Sequence, residues 1–140
     1  MIHLRPHLTF RGECRTAFRF YERVFGARLE TLLTYGEAPG GHDVPEEMYD
    51  KILHATLCIG DYALFGADVP LDEYAPPGGF AVTVDIDDAD EARRIFDALA
   101  ERGTVRLPLQ EMFWSPAFGI VVDRFNVPWE INALGAASEG

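Results

Sequence analysis

The pattern of apolar and polar residues predicts one order of secondary-structure elements, and this order occurs twice along the chain. Alternating residues predict a strand over residues 4–10, and an apolar stripe of helical period predicts a helix over residues 14–25. Three more strands follow. The order begins again with a strand over 80–86 and a helix over 89–102, and three further strands end near residue 132. The sequence therefore predicts an α+β fold built from two β-α-β-β-β modules.

Glycine and proline positions predict where these elements end. Gly26 and Gly103 stand where the two helices are expected to stop. The segment 68–79 is rich in proline and glycine, so we expect it to link module one, about 4–67, to module two, about 80–132.

The two modules are expected to form a single domain over residues 1–140. Curled half-sheets that come in a pair typically enclose a cavity for a small molecule. The tail, 135–140, is small and polar, and it is expected to be disordered.

Three connections carry further expectations. The dipeptide Gly60-Asp61 predicts a hairpin of the II′ kind between two strands. Residues 36–51, which include His42, form a loop that is long for a compact domain and is a candidate lid or binding loop. An irregular connection is expected between strands over 104–109 and 118–122.

Composition and charge narrow the class of protein. The chain has 140 residues, of which 48% are hydrophobic and 25% are charged, as in soluble globular domains. No apolar run is long enough to span a bilayer and the N-terminus does not resemble a signal peptide, so a cytoplasmic location is expected. The net charge of −11 argues against nucleic acid and anionic membrane surfaces as partners. Cys14 and Cys58 lack metal-ligand spacing and are expected to be buried free thiols.

Several segments together resemble PhnB-like proteins. They occur in the order found in that family and run from Pro6 to about Asn132: Pro6-His7-Leu8-Thr9-Phe10, Ala17-Phe18-Arg19-Phe20-Tyr21, Lys51-Ile52-Leu53-His54-Ala55-Thr56-Leu57, Pro108-Leu109-Gln110 with Phe113-Trp114, and Asp123-Arg124-Phe125 with Val127-Pro128-Trp129. The resemblance implies the vicinal oxygen chelate superfamily, which includes glyoxalase I, extradiol dioxygenases and bleomycin-resistance proteins. It also implies paired modules with curled half-barrel sheets, a homodimer and a small-molecule ligand.

Metal enzymes of this superfamily hold a divalent ion with three or four His and Glu side chains from both modules. Glu130 falls where the glutamate of the last strand lies in glyoxalase I-like sequences. The other positions do not match: the first-strand position falls on Pro6, with His7 one residue out of phase, and Phe80 stands where module two is expected to supply a histidine. The fourth-strand position falls near Phe65 or Gly66. One carboxylate and at most one histidine make a poor divalent site, so no metal or other cofactor is expected; a bound metal would use Glu130 with His7.

The candidate ligand-binding residues are His7, His54, Phe80, Gln110, Phe113, Trp114 and Glu130. Glu130 is the best catalytic candidate, because a cavity carboxylate can orient a ligand or act as a base; a hydrogen-bonded residue of the cavity wall is the alternative. For the histidines the alternative is a structural hydrogen bond. Phe113 and Trp114 either line a pocket, plug the open end of the half-barrel or form a dimer contact. Trp129 is expected in the core, and Asp123 with Phe125 in a turn.

Three functions are open at this point. The first is a metal-independent enzyme that acts on a small metabolite. The second is a sequestering protein of the bleomycin-resistance type, in which an acidic, aromatic-lined groove captures a cationic drug. The third is a metal-dependent lyase, isomerase or dioxygenase.

Overall fold

The computed structural model describes residues 1–39 and 43–136, and within them each module contains one helix and four strands. Module one consists of β1 (His7–Phe10), α1 (Cys14–Phe25), β2 (Arg28–Thr34), β3 (Ile52–Ile59) and β4 (Tyr62–Asp68). Module two consists of β5 (Val82–Ile86), α2 (Ala89–Ala100), β6 (Thr104–Met112), β7 (Ser115–Val122) and β8 (Pro128–Ala133). No described helix has the length and apolar character that a membrane span requires.

The two sheets have the same topology. Their strand orders are β1-β4-β3-β2 and β5-β8-β7-β6. In each sheet the first strand pairs in parallel with the last, and the remaining pairs are antiparallel. The predicted α+β fold of two β-α-β-β-β modules with open, curled half-barrel sheets is confirmed. The chain divides into two compact units, Met1–Ala75 and Pro76–Gly140.

Helix α1 covers one face of the sheet of module one. Its fully buried residues include Ala17, Phe18 and Tyr21. Phe18 lies so close to β4 that a Cβ atom on Gly66 would stand 2.5 Å from its ring, so a side chain there would collide with the helix. Gly26 ends the helix in the left-handed conformation, with φ of 60°, as predicted.

Helix α2 has a different ending from the one predicted. It stops at Ala100, two residues before the predicted end at 102, and Arg102 has a positive φ of 60°. Gly103 is needed for space, because a Cβ atom there would collide with the carbonyl oxygen of Val122.

Strand boundaries differ from the predictions at three places. β1 begins at His7 because the preceding segment is exposed, with Leu4 at 90%. β5 begins at Val82, after Phe80. The irregular connection expected between the strands of module two was wrong: β6 continues to Met112, β7 begins at Ser115, and these two residues pair across a two-residue turn. Register shifts along β6 break the alternation of its side chains, so the sequence pattern underestimates its length.

The predicted linker begins one residue too early. Asp68 is the last residue of β4 and is 1% exposed. Its carboxylate accepts hydrogen bonds of 2.9 Å from the backbone N–H groups of Gly12, Cys14 and Ile52. A short 3₁₀ helix, Leu71–Glu73, follows within the predicted linker.

The Gly60-Asp61 hairpin is present, with Ile59 paired to Tyr62 and Gly60 at φ of 58°. His42 and residues 137–140 of the predicted tail lie outside the described residues.

Candidate functional site

Each sheet has one face covered by its helix and an opposite face, here called the open face. On the open face of module two, Glu130 of β8 is in register with Thr83 of β5 and Ile120 of β7. Its neighbours Trp129 and Ile131 are 1% and 0% exposed on the helix side, as the alternation along a strand requires. The Thr83 hydroxyl donates a 3.0 Å hydrogen bond to the Glu130 carboxylate, which fixes the position of the acid on the sheet.

The next row of the same face adds an amide and a second carboxylate. Asn132 is in register with Asp85 and Phe118, and its Nδ2 donates a 3.0 Å hydrogen bond to the Asp85 carboxylate. The Oδ1 atom of Asn132 is buried and accepts no hydrogen bond from a described residue. Buried acceptors are almost always paired, so this oxygen requires a donor from water or from a ligand.

Each donor group of this face already makes one hydrogen bond within the protein. The Thr83 hydroxyl and the Asn132 amide donate to carboxylates, and the Gln110 amide donates to the carbonyl oxygen of Pro108 at 3.2 Å. The carboxylates retain free lone pairs, since each ionised carboxylate has about four acceptor positions. The open face of module two therefore offers hydrogen-bond acceptors in excess.

Aromatic rings extend this face at one end. Trp114 lies with its ring centroid 5.2 Å from that of Phe118, and Phe113 stacks edge-on against Trp114 at 4.7 Å. Phe118 is the register partner of Gln110. Phe113 is 98% exposed, so it does not fill the end of its own half-barrel. Trp114 is 48% exposed, and through its contact with Phe118 it extends the apolar part of the open face toward the turn.

Phe80 is not the cross-strand partner of Glu130. It precedes β5, belongs to no strand and is 52% exposed. Thr83 occupies the position opposite Glu130.

The open face of module one brings the two candidate histidines together. His7 pairs with Phe65, and the ring of His54 lies 5.2 Å from the ring of Phe65. The Nε2 atom of His54 shares a 3.0 Å hydrogen bond with the hydroxyl of Thr56. The regular register of β1 turns the buried Leu8 toward the helix and His7 away from it.

The two cysteines of module one differ in environment. Cys14 is fully buried, as predicted, and burial raises the pKa of its thiol. Cys58 is only half-buried, contrary to the prediction, because it lies on the open face. Its thiol donates a 3.2 Å hydrogen bond to Glu30, which raises the pKa of Cys58.

The residues at the expected metal-ligand positions do not fit a divalent ion. In the register of the two sheets, the position of Glu130 and Thr83 in module two corresponds to that of Phe65 and His7 in module one. Each module thus supplies one ligating side chain there, and an oxygen of Glu130 is bound by Thr83. Among residues 1–39 and 43–136, no group of three or more His, Cys, Asp or Glu side chains is placed to hold a metal.

Comparison with known proteins identifies the family. Residues 4–131 match the model of the Glyoxalase/Bleomycin resistance protein/Dioxygenase superfamily. The chain belongs to this superfamily. Protein YjdN of Escherichia coli (strain K12) is 34% identical over 144 residues, which cover 94% of this chain and 95% of YjdN.

Solved structures agree with this assignment. Protein PA1353 from Pseudomonas aeruginosa has 38% identity and a TM-score of 0.84, with 95% of this chain and 98% of PA1353 covered. The PhnB protein from Bacillus cereus has 21% identity and a TM-score of 0.77, with 93% and 98% covered; at this identity the likeness shows the fold alone. The superfamily that the sequence resemblance implies is thereby confirmed.

Sequence reasoning found Glu130 and missed the polar groups around it. Asn132 lies two residues further along the same strand, so the alternation that placed Glu130 also places Asn132 on the open face. Thr83 and Asp85 follow the same period in β5. Their contacts with β8 join residues that are 47 positions apart, and a single sequence does not reveal such a register.

Proposed function

We propose that this superfamily member binds a small, partly aromatic or apolar molecule on the open face of module two, without a metal. The ligand carries a hydrogen-bond donor, and Glu130 orients it by accepting that bond. The observation that supports this proposal most directly is the carboxylate of Glu130, held by Thr83 beside apolar side chains of the same face such as Ile120 and Phe118. An apolar wall with a few fixed polar groups is the usual composition of a small-molecule site.

The polar groups of the open face determine which chemical group of the ligand binds beside Glu130. Glu130, Asp85 and the unpaired Oδ1 of Asn132 are all acceptors, and the donors of this face are committed to protein partners. An ammonium or a hydroxyl group of the ligand satisfies them, whereas an anionic ligand is repelled. The aromatic rings of Trp114 and Phe118 supply the apolar surface.

Three probes of one size test this assignment. Benzylamine, benzyl alcohol and benzoate share a ring and differ in charge and donors. Titration of ¹⁵N-labelled protein should shift the backbone amide signals of Phe118, Glu130 and Asn132 and the indole signal of Trp114, with affinities in the order benzylamine, benzyl alcohol, benzoate. Glu130→Gln should weaken benzylamine binding by about tenfold, the effect of losing one charge-assisted hydrogen bond.

A matched variant and two outcomes make the test decisive. Asp97→Asn removes an equal charge from the exposed side of α2, and it should leave benzylamine binding unchanged. Benzoate binding as tightly as benzylamine would refute the role of the acceptors. Shifts confined to residues outside the open face of module two would refute the site.

The same carboxylate supports a second candidate, a metal-independent enzyme in which Glu130 is a general base. The supporting observation is that the described structure supplies Glu130 with one hydrogen bond, from Thr83, which leaves lone pairs for a substrate proton. Once a bound metabolite is identified, turnover that is lost in Glu130→Gln would favour the enzyme. Binding without turnover would favour sequestration.

We also propose a homodimer in the cytoplasm. The exposed rings of Phe113 and Trp114 support self-association, because large apolar side chains at a turn tip are typical of contact surfaces. Native mass spectrometry of freshly purified protein measures the subunit number and any co-purified ligand in one experiment. A monomer at micromolar concentration would refute the dimer.

A further inference from the structure

A cavity of about 710 Å³ lies in module one, and its lining contains none of the residues proposed above to bind a ligand. It is formed where β1 and β4 end and β3 begins. Its apolar wall contains Met48, Val69 and Leu71, and its charged side chains come from Arg11, Lys51, Glu47 and Asp72. A volume of this size is within the range of small-molecule sites, about 300–1,000 Å³.

The walls of this cavity are fixed by one buried carboxylate. Asp68 binds the backbone N–H groups of Gly12, Cys14 and Ile52, which belong to the connections that form the cavity. The Tyr35 hydroxyl donates a 2.6 Å hydrogen bond to the carbonyl oxygen of Asp68. The backbone around the cavity is therefore positioned before any ligand binds.

Lys51 is the only lysine of the 140-residue chain, and it lies against the cavity wall. Its aliphatic part passes over Gly12, where an added Cβ atom would stand 3.5 Å from Cε and 3.7 Å from Nζ of Lys51. Gly12 has φ of 98°, so both its conformation and its lack of a side chain suit this arrangement.

Charges of both signs line this cavity without pairing with one another. Within residues 1–39 and 43–136, the charged groups of Lys51, Glu47 and Asp72 form no ion pair or hydrogen bond with another side chain. Arg11 lies 3.8 Å from Glu13 and 5.8 Å from the centroid of the Tyr74 ring. Two cations and two carboxylates therefore face a common space next to an apolar wall.

We infer that this cavity binds a small zwitterion of the amino-acid type with an apolar side chain. The carboxylate of the ligand binds Lys51 and Arg11, its ammonium group binds Glu47 or Asp72, and its side chain contacts Met48, Val69 and Leu71. A ligand with both charges satisfies all four side chains, whereas a singly charged ligand leaves one pair facing an apolar molecule. This site is independent of the function proposed for module two.

Three molecules that share a 3-methylbutyl group test whether binding requires both charges. L-leucine carries both, 4-methylpentanoate carries only the carboxylate, and 3-methylbutylamine carries only the ammonium group. Titration of ¹⁵N-labelled protein should shift the amide signals of Gly12, Lys51 and Leu71 with L-leucine. Each analogue should bind about tenfold more weakly or worse, because each lacks one charge-assisted contact.

Variants locate the site. Lys51→Gln and Asp72→Asn should each weaken L-leucine binding by about tenfold. Arg106→Gln is the matched control for Lys51→Gln, and Asp61→Asn is the matched control for Asp72→Asn. Both remove a charge at an exposed position outside the cavity lining, and neither should change the affinity for L-leucine. Heteronuclear spectra of each variant show whether it retains the native fold.

Chemical modification provides a second, independent measurement. An amine-directed acylating reagent can modify only one side-chain amine, Lys51, so its rate is read by mass spectrometry of a single peptide. Saturating L-leucine should lower the ratio of Lys51 acylation to N-terminal acylation several-fold. The ratio corrects for the reagent that the amine of L-leucine itself consumes. Equal binding of 4-methylpentanoate and L-leucine would refute the role of the acids, and absence of shifts and of protection with L-leucine would refute the site.

Discussion

The helices of the two modules have the same place in the topology but are capped in different ways. Helix α2 has a local cap, since Asp88 directly precedes it and accepts a 2.8 Å hydrogen bond from the N–H of Glu91. Helix α1 has no side-chain cap from the residue that precedes it. The N–H of Cys14 at its start donates instead to Asp68, 54 residues further along the chain.

This difference shows that one fold can be stabilised by local or by long-range contacts. The cap of α2 can form as soon as its own residues become helical. The cap of α1 forms only after β4 is in place, and the same carboxylate then also binds Gly12 and Ile52. Bringing distant segments together costs chain entropy, so this long-range contact depends on the rest of module one being folded.

Replacing the long-range cap should have the largest effect on stability. Asp68→Asn keeps the shape of the side chain but replaces one acceptor oxygen by an NH₂ group, which then faces backbone N–H donors in a buried site. We expect the free energy of unfolding to fall by about 3 kcal/mol, because hydrogen bonds to a charged group are lost and a buried donor remains unpaired. Urea denaturation followed by circular dichroism measures this change.

The same substitution at the local cap is the control. Asparagine caps helices about as well as aspartate, so Asp88→Asn should change the free energy of unfolding by less than about 0.5 kcal/mol. If the two substitutions had equal effects, the long-range cap would have no special part in holding module one together.

The sequence indicates where α2 starts but does not reveal the long-range cap of α1, for a physical reason. Acidic residues before a helix interact with its first turn, so the run that includes Asp88 and Glu91 indicates where α2 starts. Asp68 stands beside prolines and glycines, and it was therefore assigned to a linker. Its role depends on N–H groups that are far away in sequence and become neighbours only in the folded sheet.

The same limit applies to the open faces. Alternation along β8 correctly separated Trp129 from Glu130, because this property depends on one strand. The phase of His7 relative to Phe65 depends on how β1 and β4 are paired, and a single sequence does not reveal this pairing. The unpaired oxygen of Asn132 likewise becomes visible only when the neighbouring strands are present.

Removing the local cap should have an intermediate effect that is confined to module two. Asp88→Ala leaves the N–H of Glu91 without its partner, and we expect a loss of about 1 kcal/mol. Native-state hydrogen exchange should show faster exchange of the Glu91 amide, with the amides of α1 unchanged. Equal acceleration in both helices would contradict the local nature of this cap.

The smallest effect should come from the charged pair beside this cap, and it should depend on pH. Glu91 lies 2.6 Å from the guanidinium of Arg94, and this contact lowers the pKa of Glu91 and raises that of Arg94. The folded state therefore favours ionised Glu91. The contribution of this pair to the free energy of unfolding is complete above the usual pKa of glutamate, and it is lost as the pH falls through the lowered pKa. Both side chains are about half exposed, so solvent screening keeps this contribution below about 0.5 kcal/mol.

A double comparison isolates this charge effect. The difference in the free energy of unfolding between the wild type and Glu91→Gln should disappear between about pH 7 and about pH 2, and it should shrink in high salt. Glu22→Gln in α1 removes a similar exposed pair, with Arg19 at 3.2 Å, but from the last turns of a helix, where a negative charge is unfavourable. Glu22→Gln should therefore lower the free energy of unfolding less than Glu91→Gln does. A difference for Glu91 that survives at low pH would show that shape, and not charge, carries the contact.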